Sequence, residues 1–190
     1  MRGPGTFVKS YATVRGVAVA AAVTGLLALV VSLLLIPAYR EVTGFIPFDA
    51  QARLSHFMIG VELGAVDKGK ATQIYALFAA VDVVYAAATA WLFTLFWSWL
   101  FAMAPTRLFA FLTRGGILLV PFYVLILDVV AKVGFFQLVR GLDDSAYAAA
   151  VDFSVMVHRL GFALQDLRNY LTVAFLLAIA IGLLLRRRRP

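Results

Sequence analysis

Residues 17–36 read VAVAAAVTGLLALVVSLLLI, twenty consecutive positions without a charge. A helix of that length is about 30 Å long, the thickness of a bilayer's hydrocarbon core. A cleaved signal peptide is the rival reading, since Arg2, Lys9 and Arg15 precede the run. Its apolar segment exceeds the usual ~7–15 residues and no A-x-A site follows, so a retained span is expected. The whole chain agrees: 63% of its 190 residues are hydrophobic, 14% are charged and the mean hydropathy is +0.93. A soluble domain carries about 45–50% apolar residues. Lipid is therefore the expected solvent.

Three further runs repeat the pattern. From Ile74 to Ala104 the only charge is Asp82, and the run exceeds one perpendicular crossing. Gly115 to Val139 is interrupted by Pro121, Asp128 and Lys132. Pro121 is expected to kink that helix toward its neighbours. Tyr170 to Leu185 is apolar but short, and an amphipathic stretch carrying His158, Arg159, Gln165, Asp166, Arg168 and Asn169 leads into it. One long helix bent at Gly161 fits this pattern. Between the first two runs, Leu54, Phe57, Met58 and Val61 fall on one helical face, with Asp49 as N-cap and Gly64 as stop. The fold expected is all-α: a polytopic membrane protein forming a single domain over 1–190. It is a four-transmembrane-helix bundle with spans at about 17–36, 74–104, 115–139 and 165–185. The last extends outward from about 145, and a short amphipathic helix at about 50–63 occupies the first outer loop.

Placing both termini on one side gathers nine of the 17 basic residues there: Arg2, Lys9, Arg15, Arg107, Arg114 and Arg186 to Arg189. That face carries none of the ten acids. The positive-inside rule assigns it to the cytoplasm, so both termini are expected there with the chain spanning the plasma membrane. Trp97 and Trp99 fall near the cytoplasmic end of the second span, a favoured level for indoles. The net charge of +7 is thus topological and does not call for nucleic acid. With no cysteine, disulfides, thiolate metal sites and Cys-based catalysis are excluded. The two histidines are 102 positions apart, so neither a metal nor another cofactor is expected. No Gly-rich phosphate loop or nucleophile elbow frames an enzyme site.

Charge inside a membrane is costly, at least ~2.5–3.5 kcal/mol per group near the midplane. Asp82, Asp128, Lys132, Asp166, Arg168 and Asn169 lie at similar depth on three spans and form the candidate polar network. Asp128 and Lys132, at i and i+4, share a face. Tyr85, Tyr123, Gln137 and Gln165 are candidate hydrogen-bond partners.

The order of these features resembles a group of uncharacterised bacterial four-span integral membrane proteins. The likeness is carried by the first span, the outer segment ending in Gly64, Tyr75 with Asp82 and Tyr85, Pro121 with Asp128, and a basic residue on the fourth span. It covers roughly residues 17–185. In that group an acid and an asparagine follow the third-span aspartate at the third and fourth positions. Here Ala131 and Lys132 stand there, which alters the charge balance, and Arg168 takes the place of the basic residue. The resemblance implies fold and topology and carries no activity.

Three functions remain open. The first is an outward-facing intramembrane polar pocket that binds a lipid headgroup, a small solute or a proton. The second is an accessory or assembly subunit of a larger membrane complex, its network serving as interhelical glue. The third is an intramembrane lipid-modifying enzyme with Asp128 or Asp82 as base. The partners expected are membrane lipids, together with protein partners or a homo-oligomer, and no nucleic acid.

Overall fold

The structure is a computed structural model describing residues 11–51, 54–64, 66–104, 106–141 and 144–187. It is all-helical, with no strand among those residues. Four helices are long and apolar enough to cross a membrane. In chain order the helices are α1 (Val14–Thr43), α2 (His56–Gly64), α3 (Lys68–Met103), α4 (Arg107–Arg114), α5 (Val120–Arg140) and α6 (Asp144–Arg187). α6 is continuous through Gly161.

Local chemistry sets the ends. The Thr13 hydroxyl accepts from Gly16 N at 3.0 Å and starts α1. The helix runs beyond Ile36 to Thr43 because Pro37 is absorbed without a break. A π turn over Val31–Leu35 precedes it, closed by Ile36 N–H donating to the Val31 carbonyl. A proline inside an α-helix crowds the carbonyl four residues back, and a wider turn gives that carbonyl room. Gly44, at φ 84°, then ends α1 in the left-handed conformation that a Cβ disfavours.

The Asp67 carboxylate caps α3, accepting from Gly69 N at 2.9 Å and Lys70 N at 3.3 Å. Asp49 does not cap the loop helix as its sequence position suggested. Ser55 does so, its hydroxyl accepting from Met58 N at 3.2 Å. In α2, Ile59 and Leu63 are buried while Phe57 and Val61 are exposed. Pro121 stands in the first turn of α5, directly after a 3₁₀ turn over Ile117–Leu119. Its missing N–H costs no bond there, so the interior kink expected at Pro121 is absent.

α1 packs on α3, α3 on α5 and α5 on α6, whereas α1 and α6 share no extended interface. Two apolar clusters close the ends of this row. One, at the end carrying the α1–α3 loop, gathers Tyr39, Phe48, Ile59, Tyr75, Phe78, Phe135, Leu138 and Val155. The other gathers Trp97, Leu100, Phe101, Phe109 and Phe175. Trp97 is fully buried there, with Nε1 donating to Thr172 Oγ1 at 2.9 Å. Its indole N–H is thus satisfied inside the protein. The polar residues lie between the two clusters.

Candidate functional site

Lys132 is the centre of the site. Its i−4 neighbour on α5, Asp128, places Oδ1 2.6 Å from Nζ. Asp82 on α3 brings Oδ2 to 2.7 Å, and Asp49 brings Oδ2 to 3.2 Å. Asp49 comes from a 3₁₀ turn, Phe48–Ala50, that packs on α5. The Lys132 and Asp49 side chains are 4% and 2% exposed, so the attraction operates out of bulk water. Three carboxylates around one ammonium leave an excess of acid. Beyond the Lys132 ammonium, neither Asp49 oxygen nor Asp128 Oδ2 has a hydrogen-bond partner among the described residues. Burial raises Asp49 above the ordinary carboxylate range, to about 6. Lys132 opposes this, and Asp82 and Asp128 reinforce it.

A second polar layer holds the loop in place. His158 Nε2 on α6 donates to the Gln51 carbonyl at 2.9 Å. Gln51 Nε2 donates to the Ile46 carbonyl at 2.9 Å and to Glu62 Oε2 at 3.0 Å. Burial raises Glu62 against the opposing Gln51 hydrogen bond. Arg159 Nη2 donates to the Leu54 carbonyl at 3.2 Å, and His56 pairs with Asp152 at the surface. The segment carrying Asp49 is thereby tied to both α2 and α6.

Below this layer lies a cavity of about 280 Å³ lined from all four long helices. Ser32 and Ile36 line it from α1, Asp82, Tyr85 and Thr89 from α3, Asp128 from α5, and His158, Gln165 and Arg168 from α6. The π turn of α1 borders it through Val31 and Ser32. Arg168 lies far from the acids, its guanidinium carbon 4.0 Å from the centroid of the Phe93 ring.

The six residues singled out in the sequence therefore part company. Asp82, Asp128 and Lys132 meet directly, and Arg168 joins them only through the shared cavity. Asp166 and Asn169 are exposed and line no part of it. At 100° per residue Asp166 is about 200° around α6 from Arg168, so equal depth does not give a shared face. Asn169 keeps one contact, accepting from Arg168 Nη2 at 3.4 Å. Of the candidate partners, Tyr85 and Gln165 line the cavity, while Tyr123 and Gln137 are exposed. Asp49 is the residue missed, because it lies outside every apolar run. His158, Gly161, Phe162, Gln165 and Arg168 form an i, i+3, i+4, i+7 stripe that marks the cavity face of α6.

Among the described residues no His, Cys, Asp or Glu group is arranged to hold a metal ion. The Lys132 ammonium occupies the point on which the carboxylates converge. No family model, curated protein or solved structure matches this chain. The chemistry of the site thus rests on its own geometry.

Proposed function

We propose that this chain is a multi-pass protein of the bacterial inner membrane whose outward-facing intramembrane pocket binds a small polar ligand at an acid-rich end. The single observation that carries the reading is Lys132, buried against Asp49, Asp82 and Asp128, three acids that line a cavity of about 280 Å³. One ammonium does not neutralise three carboxylates, and the surplus favours a proton or a cationic group. Intramembrane ionisable residues mark such sites more often than lipid-facing surfaces.

The basic residues near the termini and in the α3–α5 connection support a cytoplasmic position for that end. The pocket then opens on the other side, beneath the loop carrying Asp49. Membrane lipid is the partner of the outer faces, and Phe57, Met58 and Val61 of α2 supply an apolar side for the headgroup region. Charges serving only as interhelical glue would need no cavity beside them.

The absence of cysteine makes the test direct. Ala86→Cys lines the cavity, whereas Ala87→Cys lies on the exposed face of the same helix. In intact spheroplasts a membrane-impermeant thiosulfonate should modify the first and spare the second. Protection of both positions would remove the pocket and leave the structural network.

A further inference from the structure

Arg168 is 6% exposed and lines the cavity. Among the described residues it forms no ion pair, and its Nε has no hydrogen-bond partner. Its one side-chain hydrogen bond among the described residues runs from Nη2 to Asn169 Oδ1 at 3.4 Å. The Phe93 ring lies against the guanidinium, its centroid 4.0 Å from the guanidinium carbon, and Tyr85 is the group whose charge acts on it. The acids of the cavity do not serve it. α3 and α6 run in the same direction, with Trp97 beside Thr172 and Phe93 beside Arg168. Asp82 precedes Phe93 by eleven positions, roughly 16 Å along the helix.

A guanidinium stays protonated in proteins, and an unpaired buried charge is strongly unfavourable. Five N–H donors in a rigid fork match the paired oxygens of a carboxylate or a phosphate-type group. We infer that the deep end of the cavity is an oxyanion site built on Arg168, which takes a phosphate group carried by a soluble compound or by a lipid headgroup. α1 and α6 share no extended interface, and a lipid would enter laterally between them where a soluble compound would not. The inference rests on the pocket proposed above and adds the ligand class: an anionic group below, facing an acid-rich, cation-accepting rim.

The test uses the full chain in dodecylmaltoside with Thr89→Cys, a cavity position between Tyr85 and the Phe93 level. An anionic sulfonatoethyl thiosulfonate should react about tenfold faster than a cationic trimethylammonium one, as expected for a charged cleft. Arg168→Gln should abolish the preference. Arg168→Lys, which keeps a point charge, should retain it. Inorganic phosphate should slow the anionic reagent if the occupant is soluble, and added phosphatidylglycerol alone should do so if it is a lipid. Both effects should vanish in Arg168→Gln and weaken in Arg168→Lys; if the Gln variant does not fold, the Lys variant decides. Labelling of Ala86→Cys without any Arg168-dependent preference or protection at Thr89→Cys would overturn the oxyanion site alone. No labelling at either position would remove the pocket with it.

Discussion

Gly134 of α5 and Ser154 of α6 meet so closely that a Cβ placed on Gly134 would stand 2.2 Å from Ser154 Oγ and 3.2 Å from its Cβ. Ser154 is completely buried and its hydroxyl has no hydrogen-bond partner among the described residues. The contact is one of small residues that let two helices approach, as membrane interiors favour. It lies near Lys132 on one helix and His158 on the other, so it sets the spacing of the site.

Gly134→Ala should therefore force α5 and α6 apart. Overpacking of this kind costs about 1–3 kcal/mol. Unfolding by sodium dodecyl sulfate in mixed micelles should show the loss, and Ser154→Gly in the same chain should recover most of it. Equal stability of wild type and Gly134→Ala would contradict the packing described.

Replacing Lys132 removes the one cation among the described residues that touches all three carboxylates. Lys132→Met should destabilise by about 3–5 kcal/mol, the range for breaking a buried ion pair from one side. The same micelle titration reads it. Adding Asp49→Asn should return part of the loss, because one uncompensated carboxylate disappears. Strictly additive effects of the two substitutions would mean that the residues are not coupled.

Asp49 should give stability a pH dependence of unusual sign. Its folded value is about 6 against an ordinary 3.8, so the folded chain binds the extra proton between those values. Stability falls where the native state holds more protons, so it should decline as pH rises from about 4 to about 6 and stay level above. The difference should be about 3 kcal/mol at about 1.4 kcal/mol per pH unit. Asp49→Asn should flatten that part of the profile.

Gln51 offers a contrast with the surface. Gln51→Ala leaves the Ile46 carbonyl and Glu62 without their donor and should cost about 1–3 kcal/mol. Asp152→Asn disturbs only the His56 pair, where both side chains are more than half exposed, and should cost less than about 1 kcal/mol. Thermal melting of the two variants side by side should keep that order.

The four long helices were legible because hydropathy is a property of whole segments, and α3, α5 and α6 fall close to the runs read from it. The Asp128–Lys132 approach was legible for a similar reason, since i, i+4 spacing fixes a shared face. What escaped required knowledge of which way the chain turns. Asp49 sits in a connection, and only the folding of Phe48–Ala50 onto α5 takes it to Lys132. Asp166 has the right depth and the wrong azimuth. Thr172 supplies the hydrogen bond of Trp97 inside the protein. In the loop helix the packed side belongs to Ile59 and Leu63.

The π turn in α1 has a consequence for phase. Thr24 and Val31, both buried, are seven residues apart and lie on one side of the helix. Tyr39, also buried, follows Val31 by eight, which in an uninterrupted α-helix would rotate it about 80° off that line. The wide turn takes up one residue, so the effective spacing returns to seven and the stripe stays aligned along α3. The inserted residue works as a clutch between two halves of one rod. It lets the segment before Pro37 and the segment after it press the same edge toward their neighbour.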